Sequence, residues 1–126
     1  MKQIIASPHA PAAIGPYSQG VLCQGTFAFI SGQLPIDPDT GKFPGDDIRS
    51  QTEQSLKNVE ALLREGGMGF EDVVDVSVLL TDINDFSAMN EVYAKYFHHD
   101  CPARCAFEIS ALPKSAKVEV RVTACK

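Results

Sequence analysis

The 126 residues predict an α+β fold in which two helices pack on one face of a mixed sheet. Three observations carry that reading: two apolar stripes at three-to-four spacing, β-branched or alternating runs around them, and the resulting order β-β-α-β-α-β-β. The length suits a single core, so residues 1–126 are read as one domain. With 44% hydrophobic and 21% charged residues the chain can fold along its whole length, and its eight prolines and nine glycines are dispersed instead of massed into a linker.

Residues 20 to 36, GVLCQGTFAFISGQLPI, hold two short strand-like runs punctuated by Gly25 and Gly32, which predicts a hairpin. The turn-rich DPDTGKFPGDD follows. Asp46 or Asp47 caps a helix whose apolar stripe runs through Ile48, Thr52, Ser55, Leu56, Val59, Leu62 and Leu63 and stops at Gly66-Gly67. DVVDVSVLLTD, residues 72 to 82, is β-branched enough to be a strand, and a central one. Asn84 or Asp85 starts the second helix, with Phe86, Met89, Val92, Tyr93, Tyr96 and Phe97 as its buried stripe, ending before HHDCP. Residues 103 to 110 and 117 to 125 alternate as strands. Two helices cover only one sheet face, so the other must be polar or packed against another subunit.

A net charge of -5 offers no basic field for phosphates, which counts against nucleic-acid binding. The opening MKQIIASPHAPAAIGP has too short an apolar run for a signal peptide, and no segment is long enough to span a bilayer. The expectation is a soluble, cytoplasmic protein. In that setting Cys23, Cys101, Cys105 and Cys125, with no CxxC pair among them, read as reduced thiols.

One residue breaks the apolar pattern of the late strands. In PARCAFEISALPKSAKVEVRV, alternation puts Arg104, Ala106 and Glu108 on one side and Cys105, Phe107 and Ile109 on the other. Val118, Val120 and Val122 likewise oppose Glu119, Arg121 and Thr123. With the apolar sides turned to the helices, Arg104, Glu119 and Arg121 are expected on the helix-free face. A solvated charge pattern is one explanation. The other is that Arg104 presents a planar fork of donors to a carboxylate, at about 1.5 to 3 kcal/mol per charged hydrogen bond.

APAAIGPYSQG (10–20), ISGQLPID (30–37), QTEQSLKNVEALL (51–63), DINDFSAMNEVYAKYF (82–97) and PARCAFEISALPKSAKVEV (102–120) together resemble the RidA/YjgF family, also called L-PSP. The resemblance runs from about residue 4 to 125 and is nearest the branch of 2-iminobutanoate/2-iminopropanoate deaminases, marked by an arginine where Arg104 stands. It implies a chorismate-mutase-like fold and a homotrimer with ligand clefts between neighbouring subunits. It implies hydrolysis of 2-imino or enamine acids to 2-keto acids and ammonia, with no cofactor and no metal. By position, Arg104 matches the family's substrate-carboxylate arginine and Glu119 its motif acid that holds the attacking water. Tyr17, Ser31, Gly32 and Asn90 match residues lining the cleft. Some members carry cysteine where Ala106 stands; here only a backbone contact from Ala106 survives, since Cys105 points to the other side.

The chemistry asks little. A thousandfold acceleration needs about 4 kcal/mol, within reach of positioning and a few directed hydrogen bonds. A carboxylate beside a guanidinium is a weak base at neutral pH, so the acid's expected role is to orient water. Tyr17 either closes on substrate or anchors the N-terminal segment; Ser31 is a donor or a turn residue, and Asn90 a ligand contact or a local cap. The rivals are a zinc site from His98, His99, Cys101 and Cys105, a calcium loop at DPDTG, a carboxylate binder or chaperone-like protein without turnover, and a ribonuclease or translation inhibitor.

Overall fold

The computed structural model describes residues 1–126. Eight elements follow one another: β1 (Lys2–Ile5), β2 (Gly20–Cys23), β3 (Phe27–Gln33), α1 (Ile48–Glu65), β4 (Val73–Leu80), α2 (Phe86–Tyr96), β5 (Ala103–Glu108) and β6 (Val118–Cys125). The main sheet has the order β3-β6-β4-β5, parallel only between β4 and β5, where α2 makes the crossover. The 72–82 run is thus a strand with neighbours on both sides, as its composition predicted.

The expected hairpin of residues 20 to 36 does not form. β2 pairs instead with β1, a strand that the sequence reading had not assigned, in the register Leu22↔Gln3. The reason lies at the turn between β2 and β3. The chain is claimed there from two sides: Gln24 N–H donates to Met1 O, continuing the β1–β2 pairing, while Thr26 and Lys126 exchange backbone hydrogen bonds of 2.7 and 2.9 Å that begin the β3–β6 pairing, so the two strands part at Gly25. Gly25 adopts φ 153°, and a Cβ there would sit 2.6 Å from the Lys126 carbonyl oxygen.

α1 starts where an aspartate can cap it. Asp47 accepts from Ser50 N–H at 2.9 Å, and the chain leaves through Gly67 at φ 71°. Its buried stripe departs from the predicted one at two positions. Leu62 is 45% exposed, while Gln51 is buried because its amide serves two backbone groups, donating to Gly45 O and accepting from Lys117 N–H. In α2, Met89, Val92 and Tyr93 are buried together with Phe97 just beyond, and Phe86 and Tyr96 pack against them. These side chains meet Val76, Val78, Val118, Val120 and Val122 from the sheet to form the core.

No helix is long and apolar enough to cross a membrane. The DPDTG segment is a turn: Asp39 N–H donates to Asp37 Oδ1 at 2.8 Å, and Gly41 N–H to Asp37 O.

Candidate functional site

The register places the singled-out residues on two faces. Val76 is buried under the helices, and it stands opposite both Arg104 and Val122. Arg104 therefore points to the helix side, as does Ala106 opposite Val78. Leu79 stands opposite Phe107 and Glu119, so those two point the other way. This reverses the expectation for β5: its mixed Arg104/Ala106 side meets α2, and its Cys105/Phe107 side is the exposed one. The reason is packing room. The small Ala106 packs against the core from this side, and Arg104 on the edge strand reaches Phe86, Asn90 and Tyr93 of α2 with its head. Glu119 and Arg121 do lie on the helix-free face.

On the helix side, α2 presents Phe86, Asn90 and Tyr93, one face at spacings of four and three. Arg104 Nη1 donates to Asn90 Oδ1 at 2.6 Å. Its Cζ lies 4.7 Å from the Tyr93 ring centre and 5.6 Å from those of Phe86 and Tyr17. No carboxylate is paired with it. Burial pulls its pKa below the ordinary arginine value, with Tyr93, Tyr17 and Cys101 pushing back, yet a guanidinium stays charged. The result is a half-buried cation with one hydrogen bond and unspent donors.

Tyr17 reaches this cluster because the GPYSQ segment is tied down on both sides. Ser18 N–H donates to Pro102 O at 3.1 Å and its hydroxyl to Cys101 O, docking the segment on the entry to β5. Gln19 holds the preceding loop, accepting from Ser7 N–H at 2.6 Å and donating to Ala10 and Pro11 carbonyls. Ile14 N–H donates to the Tyr17 hydroxyl.

On the helix-free side, the β3–β6 pairing is interrupted between Ile30 and Gln33. Ser31 and Gly32 occupy that bulge, and the Glu119 side chain fills the space where a Cβ on Gly32 would stand. Beside them are a row of Cys105, Ser77 and Arg121 and the exposed rings of Phe27, Phe29 and Phe107.

The seven candidate residues thus form two groups: Arg104, Asn90, Tyr17 and the Ala106 strand segment on one side, Glu119, Gly32 and Ser31 on the other. Two further residues belong to the first group. Phe86 and Tyr93 were read only as core; the signal was an amide, Asn90, set between aromatics on a buried helical face. No group of three or more His, Cys, Asp or Glu side chains is arranged to hold a metal. Cys105 is on the open face donating to Ser77 Oγ, while Cys101 donates to Phe97 O. A hollow of about 720 Å³ between Lys2, Phe70, Tyr96 and His98 does not include Arg104.

Residues 7–126 match the family model described as "Endoribonuclease L-PSP". The chain is 49% identical over 126 residues to a "RutC family protein" of Pyrococcus horikoshii, covering 100% of this chain and 99% of that protein. It is 46% identical over 124 residues to the "2-iminobutanoate/2-iminopropanoate deaminase" of Capra hircus, 98% of this chain and 90% of that one. Among solved structures it resembles E. coli TdcF with bound serine, with TM-score 0.76, 39% identity and 98% coverage of both chains.

Proposed function

The chain belongs to the RidA/YjgF (L-PSP) family, and we propose that it is a hydrolytic deaminase of 2-imino acids, 2-iminobutanoate and 2-iminopropanoate among them. The observation that carries this reading is Arg104: a half-buried guanidinium between three aromatic rings, with one hydrogen bond and no carboxylate of its own. A small carboxylate is the ligand such a group lacks. Relatives named as imino-acid deaminases, and a related structure holding an amino acid, support it.

In this proposal the carboxylate of the imino acid takes two donors of Arg104, with Asn90 holding the guanidinium and Tyr17 over the bound acid. The backbone at Ala106 borders the same cleft. Glu119 cannot serve the same ligand from the same chain, because it is on the opposite sheet face. It comes from a neighbouring subunit, with Ser31 and Gly32 beside it. In a homotrimer built on the helix-free faces, each cleft takes Arg104 from one chain and Glu119 from the next. The exposed phenyl rings of Phe27, Phe29 and Phe107 give those faces an apolar surface to bury.

Turnover then needs no covalent intermediate. The protonated imine carbon is electrophilic; Glu119 aligns a water on it and accepts a proton as the C–O bond forms. Glu119 returns that proton to the nitrogen of the tetrahedral carbinolamine, the C–N bond breaks, and the departing ammonia takes the hydroxyl proton, leaving the 2-keto acid behind. The overall change is one C=N and one water to one C=O and one ammonia.

The test is ammonia release from dehydratase-generated 2-iminobutanoate. Arg104→Ala is expected to lower kcat/KM by about a hundredfold, the worth of roughly 3 kcal/mol of charged hydrogen bonding. Rates equal to the unaided reaction in wild type and variant would overturn the enzyme reading. Tight 2-ketobutyrate binding without turnover would instead favour a second reading, a carboxylate binder on the same Arg104, which the serine-bound relative makes specific.

A further inference from the structure

Resting on the carboxylate-binding reading of Arg104, we infer that Tyr93 is a positioning residue, whose ring face holds the guanidinium at the angle the ligand needs. Phe86 is a second α2 ring beside the same group, 5.6 Å from Arg104 Cζ. Three observations converge on Tyr93. Its ring is the nearest of the three to Arg104 Cζ, at 4.7 Å against 5.6 Å for the others. It is fully buried, locked against Phe97 at 4.5 Å between ring centres, so it cannot swing away as an exposed ring could. Its hydroxyl is buried with no hydrogen-bond partner.

The last point separates ring from hydroxyl. A buried phenol without a partner is costly, so the oxygen contributes nothing to packing that phenylalanine would not. What Tyr93 does supply is the negative face of a π system, desolvated and next to a cation. Asn90 fixes one end of the guanidinium by a single hydrogen bond, which leaves rotation about that bond free. The Tyr93 face removes this freedom. A guanidinium held by an amide and a ring keeps its positive charge uncompensated, whereas a carboxylate in the same place would hold it more tightly but neutralise it and occupy the donors. The helix spacing of Asn90 and Tyr93 delivers both supports from one face of α2.

The inference is tested with Tyr93→Leu and Tyr93→Phe, compared by turnover and by ¹⁵N NMR of the arginine side chains, with Arg104→Lys assigning the Arg104 signal. Tyr93→Leu is expected to raise KM for 2-iminobutanoate about tenfold with kcat within about twofold, and to free the rotation of the Arg104 guanidinium about its Cζ–Nε bond, read from the exchange behaviour of its Nη signals. Tyr93→Phe should recover both and melt no lower than wild type. A role in packing alone predicts a lower Tm for Tyr93→Leu with KM and the Arg104 signal unmoved, and that result overturns the inference. Should Tyr93→Leu fail to fold, Phe86→Leu at the half-buried ring carries the same two readouts with a smaller shift. The NMR signal reports on Arg104 whether or not any imine is turned over, so absent turnover sinks the deaminase reading while leaving this one to be judged by the spectrum.

Discussion

Gly32 and Glu119 form the most constrained pair on the helix-free face. The carboxylate occupies the volume that any side chain at position 32 would claim. It is the far end of a flexible side chain, so Gly32→Ala is expected to fold with little change in Tm while pushing the carboxylate aside. A displacement of that kind costs on the order of tenfold to a hundredfold in rate when the group aligns a reactant. Ammonia release measured beside a melting curve checks this; unchanged turnover would remove Glu119's position from the mechanism. At this scale the sequence was half legible. That Arg104 and Glu119 stand out follows from charge in apolar strands. Which way each points does not, because alternation divides a strand into two sides without saying which is up. In β6 three valines in a row settle the matter. In β5 the choice was between Ala106 and the bulkier Cys105 and Phe107, and size misled: room beneath α2 went to the small residue and the long flexible one.

α1 shows the opposite case. Its cap, stripe and stop could be read from residues 46 to 67, because capping and periodicity act within a few residues. Asp47 was one of two candidates, and it is the one that accepts from both Ser50 N–H and Ser50 Oγ. Those hydrogen bonds, the side-chain one foremost, hold its carboxyl below the ordinary value of 3.8. A folded-state pKa below the unfolded one stabilises above the unfolded value and loses that contribution as pH falls through the folded one. Thermal midpoints taken from pH 6 down to pH 2 are therefore expected to fall less steeply for Asp47→Asn than for wild type; parallel curves would contradict the assignment. β1 and the partner of β2 escaped the sequence reading for the converse reason. Four-residue strands have little pattern, and the β2 and β3 runs go to distant partners, Leu22 to Gln3 and Thr26 to Lys126, 100 residues away in sequence.

For the whole molecule the argument turns on the uncovered sheet face. Its open side was foreseeable from a count of helices and strands; the apolar rings on its two edge strands, with Phe29 of β3 73% exposed, were not. If that face joins subunits, Phe29→Lys is expected to shift the mass in solution from about three times 13.6 kDa to a single chain and to abolish ammonia release, although Phe29 lies on the face opposite Arg104. A monomeric variant with full turnover would show that one chain suffices.

The central claim is that each cleft draws Arg104 from one subunit and Glu119 from its neighbour. Mixing two inactive variants, Arg104→Ala and Glu119→Gln, under conditions of subunit exchange tests it most directly. Random assembly of equal amounts restores an intact cleft wherever an Arg104-bearing chain meets a Glu119-bearing one, so about a quarter of wild-type ammonia release is expected. Activity that stays at the level of the separate variants, in mixtures shown to have exchanged, would contradict the claim.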